Sequence, residues 1–192
     1  MSIITQTIFV IVIVSEIILG GSLIFTLIYP HHRIWPPPQR NSWQFYFTWI
    51  LTIIAMTGIF ILGILDWNSF IYLHFSRFII GGSLMIAGTV FLVWSIRTLS
   101  IHLTLGLEGE LLTKGPYRYS RNPQYVGDIG LFIGFMLISN SILVSISVII
   151  GIFWFILAPF TEEPWLRERF GATYEEYCQQ VPRFIKFFCI PI

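Results

Sequence analysis

Two short stretches of this chain hold the residue types that do chemistry. One is Arg118-Tyr119-Ser120-Arg121-Asn122-Pro123-Gln124-Tyr125; the other opens with Glu162-Glu163 and continues to Arg167. Adjacent carboxylates repel, so a Glu-Glu pair beside an apolar stretch is better tolerated where cations or hydrogen-bond donors meet it. Glu163 has Arg167 one helical turn on, an ordinary surface pairing worth roughly a few tenths of a kcal/mol. Glu162 has no local partner of that kind. In the other stretch, Asn122 before Pro123 reads as a helix start, with Asn as cap and Pro in the first turn. Exposed N–H groups, a positive dipole end and Arg121 beside them make a site for a carboxylate or phosphate. The plainer reading is that Arg118 and Arg121 only anchor the chain at a membrane surface while the tyrosines belt the interface.

The elements that must position these residues follow from composition. The sequence is 55% hydrophobic and 11% charged, with a mean hydropathy of +0.77. A soluble domain carries about 25% charged residues, so this chain has too few charges to cover a globule in water. It is soluble only in lipid. The net charge of +1 supplies no basic stripe for phosphates, which excludes nucleic acid as a partner. Cys178 and Cys189 form no CxxC or Cys/His pattern, so no disulfide framework and no metal site is expected.

A spanning helix needs about 20 apolar residues. Ile3 to Tyr29, Trp43 to Leu65 and Phe78 to Ile96 qualify directly. Ile129 to Ile138 and Ile142 to Phe160 follow, separated by Ser139-Asn140-Ser141, and read as a helical hairpin. The first arm becomes long enough if it starts at Pro123. The fold expected is therefore all-α, an integral membrane domain over residues 1–192 with five transmembrane helices. Gly20-Gly21, Gly81-Gly82 and Gly88 read as notches for close helix approach. Trp35, Trp43, Trp49, Trp67 and Trp94 fall mostly near span ends and read as an aromatic belt.

Orientation follows from Lys and Arg. With the N-terminus outside, every basic residue but Arg77 faces the cytoplasm, and five spans put the C-terminus there too. Both chemical stretches then share the cytoplasmic face. After the last span, Trp165, Leu166 and Phe170 give one short amphipathic helix stopped by Gly171. Thr173 with Glu176 is a capping box that starts a second, with Tyr174, Tyr177 and Val181 on one side.

In order and spacing, Arg121-Asn122-Pro123-Gln124-Tyr125, a helical hairpin and then Glu162-Glu163 resemble the Arg-His-Pro-x-Tyr … Glu-Glu pattern of integral membrane methyltransferases. These are the isoprenylcysteine carboxyl methyltransferases and their phospholipid N-methyltransferase relatives. Leu166, Phe170-Gly171, Tyr174, Tyr177, Val181 and Arg183 extend the match, which covers Gly115 to Ile185. The resemblance implies S-adenosyl-L-methionine held by the C-terminal half, residues 97–192, with Arg118, Arg121, Asn122, Pro123, Tyr125 and Glu162 in the cofactor segment. Residues 1–96 would shape the side facing a lipophilic acceptor drawn from the membrane lipids, an isoprenylcysteine-type carboxylate first among the candidates. Glu162, Glu163 and Arg167 would serve the cofactor's polar groups or the acceptor. Asn122 stands where the family has His; it can hydrogen-bond but cannot relay a proton.

Two other readings compete. Tyr125-Val126-Gly127-Asp128 resembles a run in membrane sterol reductases, which use a nicotinamide cofactor. Glu16, inside the first span, would suit a carrier or non-catalytic subunit, because intramembrane carboxylates often mark pathways. The Glu-Glu pair and the Phe170-Gly171 … Tyr174 … Tyr177 spacing favour methyl transfer. His31-His32 has no third ligand nearby, and His102 lies in the loop near the expected site.

Overall fold

A computed structural model describes residues 1–99 and 111–185; His102, Lys186 and Cys189 lie outside the described residues. Six α-helices order the described residues: α1 (Ile3–Ile28), α2 (Trp43–Leu65), α3 (Ser76–Leu99), α4 (Pro123–Ser139), α5 (Ile142–Phe170) and α6 (Ala172–Gln180). Single 3-10 turns occupy Pro30–His32 and Gly115–Arg118. The described residues contain no strand.

Serine hydroxyls start three of the helices. Ser2, Ser42 and Ser141 accept from the N–H groups of Thr5, Phe45 and Val144, at 3.1, 3.2 and 3.1 Å. Each answers one of the donors that a helix start leaves unpaired.

Helices α1, α2, α3 and α5 are long and apolar enough to cross a membrane. Their outward faces are aliphatic: Ile64 is 76% exposed and Ile86 65%, which suits lipid and not water. With 17 residues, α4 rises about 25 Å, short of the roughly 30 Å hydrocarbon core.

Helix α4 lies against α3 along glycines. A Cβ on Gly88 would come 2.5 Å from the Leu131 nitrogen, one on Gly127 2.7 Å from the Leu92 nitrogen, and one on Gly134 2.5 Å from the Gly81 carbonyl. Lipid tails are as apolar as leucine, so helices associate in a bilayer through such close packing. Gly20, Gly21 and Gly82 meet nothing within 4 Å, so these three are not packing notches as their sequence suggested.

The end of the bundle opposite the chemical stretches is closed by polar bonds between two loops. Asn140, in the left-handed region at φ 48°, reverses the chain between α4 and α5. Its side chain donates to the Phe70 carbonyl at 3.0 Å and accepts from the Tyr72 N–H at 3.0 Å. Asp66 Oδ2 takes the hydroxyls of Ser69 and Ser141, each at 2.6 Å. Arg77 is buried there, its guanidinium 4.5 Å from the Phe78 ring centre.

Two boundaries differ from the sequence reading. Helix α5 does not stop at Phe160; it continues through Pro159 and Pro164 to Phe170, so Glu162, Glu163 and Arg167 ride on one unbroken helix. Each proline removes a single donor, to the Phe155 and Phe160 carbonyls, and the Glu163–Arg167 pair bridges the turn that contains Pro164. The Thr173 capping box does not form. Gly171, at φ 52°, takes the cap position, and its carbonyl accepts from Tyr174 and Glu175 at 3.1 and 3.2 Å, so α6 begins at Ala172.

Candidate active site

Successive residues on a helix point about 100° apart, so Glu162 and Glu163 serve different neighbours. Glu162 Oε1 accepts from the Trp35 indole N–H at 2.7 Å and from the Tyr125 hydroxyl. These donors come from the loop after α1 and from the first turn of α4. Trp35 is buried against Trp154 and Trp49, with ring centres 6.0 and 6.2 Å away, and Tyr125 meets Trp154 edge-on at 6.0 Å. An aromatic floor thus separates Glu162 from the apolar interior below it.

Glu163 is 2% exposed and gathers three arginines. Arg183 donates Nε to Oε1 at 2.7 Å and Nη2 to Oε2 at 2.8 Å. Arg121 Nη2 lies 3.2 Å from Oε1, and Arg167 Nη2 lies 3.3 Å from Oε2. Arg167 also donates to Glu175 at 2.9 Å. The pairing expected of Glu163 and Arg167 exists, but as the outermost of three. Charge-assisted bonds to a carboxylate are about twice as strong as neutral ones, and the Glu163 carboxylate holds the Arg183 guanidinium above its ordinary pKa.

The Arg-Asn-Pro stretch is tied to the same tail. Arg121 N–H donates to the Pro182 carbonyl at 2.9 Å, and Asn122 Nδ2 donates to the Arg183 carbonyl at 3.0 Å. Asn122 occupies the cap position of α4 without capping it, because its side chain is turned to that carbonyl. Tyr177 donates to the Tyr117 carbonyl at 2.7 Å, and burial pushes both phenols up, so this donor persists across the neutral range. Pro123 is fully buried in the first turn of α4, whereas Arg118 lies exposed.

Arg121, Asn122, Pro123, Tyr125, Glu162, Glu163 and Arg167 therefore come together, with Arg118 at the edge. Arg121 does not stand free at the helix start; it faces Glu163, and its Nη1 donates to the Cys178 sulfur. Its buried Nε has no hydrogen-bond partner among the described residues. The sequence reading missed Trp35, taken for an interfacial anchor, and Arg183 as the main partner of Glu163. For Trp35 a signal was present: Pro36-Pro37-Pro38 follow it, and a stiff proline run fixes a preceding ring where a flexible loop would not.

The Arg-Asn-Pro-x-Tyr start of α4 thus meets the Glu-Glu pair of α5 at one end of an apolar bundle. Residues 76–173, just over half the chain, match the phospholipid methyltransferase family, and the chain belongs to that family. The match takes in α3, α4, α5 and both glutamates, and excludes Trp35 and Arg183. No curated protein and no solved structure matches the chain.

Proposed function

We propose that the protein transfers a methyl group from S-adenosyl-L-methionine to a lipophilic acceptor at the cytoplasmic face of a membrane it crosses five times, the short α4 included, because α4 runs from the carboxylate end of the bundle to the loops at the opposite end. The observation that carries this reading is the adjacent pair Glu162 and Glu163, one held by neutral donors and the other neutralised by arginines, beside the start of α4.

The residues present fit the methyl donor's polar end. The unpartnered buried Nε of Arg121 and the exposed Arg118 would meet its carboxylate, and Glu162 Oε2 would meet its ammonium or a hydroxyl. When bound, the donor supplies a methyl group on a sulfonium sulfur for in-line displacement. Such a reaction depends on positioning more than on acid–base help. Trp35 and Tyr125 fix the rotamer of Glu162, while the Glu163 cluster fixes the tail over the site. The Trp35, Trp49 and Trp154 rings keep bulk water from the interior side, and a dry site strengthens every charge interaction in it.

Two acceptor chemistries suit this frame. A carboxylate of the isoprenylcysteine type arrives ionised and needs no base. An amine, as on the phospholipids that the family is described by, must first lose a proton, which Glu162 Oε2 would accept. Among the described residues, Arg121, Arg167 and Arg183 are all engaged by Glu163, which leaves little cationic surface for a carboxylate and favours the amine.

Calorimetry on the detergent-purified protein tests the donor. Micromolar-range S-adenosylmethionine binding, lost in Glu162→Gln and Arg121→Ala, is the expected result. Absent binding by folded protein, or preferential binding of a nicotinamide dinucleotide, would overturn the reading. Radiolabelled methyl transfer to phosphatidylethanolamine or to a farnesylcysteine then separates the acceptors.

A further inference from the structure

A second constellation lies deeper in the bundle, where neither glutamate of the pair reaches. Glu16, on α1, is 6% exposed, and its Oε2 is buried with no hydrogen-bond partner among the described residues. Its Oε1 lies against α5, where a Cβ on Gly151 would sit 3.2 Å away. Trp154, one turn along α5, has a buried indole N–H that is likewise without a partner. Both side chains line the same cavity of about 40 Å³, walled otherwise by groups such as Met56, Ile59, Phe132 and Val148.

An orphaned carboxyl and an orphaned N–H in apolar surroundings each carry a desolvation penalty of about 1–3 kcal/mol. One missing group removes both penalties if it accepts from Trp154 and also pairs with Glu16. A hydroxyl does this. It donates to a carboxylate or accepts from a carboxylic acid, so it matches Glu16 in either protonation state, and its oxygen accepts from the indole. An ammonium cannot accept from Trp154, and a carboxylate would repel an ionised Glu16. Neutral ligands are also the ones that enter such a site without a large solvation penalty. The space holds a head group or chain end, not a whole lipid, so the remainder of the ligand must be apolar and pass between helices.

We propose that this cavity binds the hydroxyl of a neutral, otherwise apolar lipophile. Gly151 lies eleven residues before Glu162 on α5, about 16 Å at the rise of a helix. The hydroxyl is therefore held and not methylated, and the proposal stands whether or not the methyl-transfer reading does.

The test is thermal unfolding of the detergent-purified protein titrated with 1-decanol, decane and decylamine. Decanol should raise the melting temperature while the other two leave it unchanged. Glu16→Leu and Trp154→Phe should each weaken the apparent decanol affinity about tenfold; the second removes the indole N–H together with part of the ring, so decane is titrated into it as well to separate a lost hydrogen bond from a larger cavity. Equal stabilisation by decane, or decanol binding unaltered in Trp154→Phe, would overturn the proposal. So would the absence of any decanol effect, which would leave the cavity to water. Methylation of the decanol oxygen would overturn it as well, since that would put the hydroxyl at the carboxylate pair.

Discussion

Arg183 closes on Glu163 through two hydrogen bonds, 2.7 and 2.8 Å, with the Phe160 ring centre 3.8 Å from its guanidinium carbon. The pair joins the chain after α6 to the far end of α5, and it draws Arg121 in from the start of α4. Removing the carboxylate would leave three arginines facing one another around a buried amide. Glu163→Gln should therefore destabilise the protein by about 3 kcal/mol or more, in the range for breaking a buried ion pair. Arg183→Lys keeps the charge and loses the fork, and should lose about 1–2 kcal/mol. Equilibrium unfolding in mixed detergent micelles reads both; equal losses would mean that the forked geometry contributes nothing.

Glu162 depends on neutral donors instead. Tyr125→Phe and Trp35→Phe each delete one bond to Oε1; the first keeps the ring packing, and the second also gives up part of a buried ring. Each should lower the methyl-transfer rate about tenfold, the kinetic equivalent of one hydrogen bond to a charged group. The melting temperature should move little in Tyr125→Phe and fall in Trp35→Phe, where a buried ring is made smaller. A large stability loss with an unchanged rate would assign these donors to folding alone.

The seam between α3 and α4 makes a contrast that folding measurements resolve. Gly88→Ala would drive a methyl group into the Leu131 nitrogen and the Gly127 carbonyl and should destabilise by about 1–3 kcal/mol. Gly82→Ala, six residues earlier on the same helix, meets open space and should be neutral or stabilising by up to about 1 kcal/mol. If both behave alike, the close approach of the two helices is wrong.

Orientation is open to chemical labelling. In a background lacking Cys178 and Cys189, Thr113→Cys should react with a membrane-impermeant maleimide only when the cytoplasmic face is exposed. Leu73→Cys, 69% exposed at the other end of the bundle, should react from outside. The reverse pattern would place the carboxylate pair outside the cell and remove its access to a cytosolic methyl donor.

Long apolar runs were readable because their length in lipid is fixed by bilayer thickness. Trp43–Leu65 agrees to the residue, and the Ser139-Asn140-Ser141 reversal sits where three small polar residues interrupt two apolar runs. The end of α5 was not readable. Pro159 and Pro164 look like stop signals locally, yet the contacts of Glu163 with Arg121 and Arg183 are made across long sequence separations and hold the helix together past both. The glutamate pair was visible as chemistry, but its partners were not. Trp35 lies 127 positions from Glu162, and no periodicity encodes such a contact.

That indole has a bearing on how relatives with the same catalytic half would differ. The family match begins at residue 76, so the first two helices lie outside it and are the part that a chimera would exchange. Trp35 belongs to this exchangeable part, yet it holds an oxygen of the site itself. Grafting another protein's N-terminal helices onto α3–α6 would thus replace one of the two hydrogen-bond donors to Glu162 along with the walls of the lipid-facing interior. On the proposed function, chimeras designed to retune the acceptor would need a tryptophan at that position to keep the reaction rate.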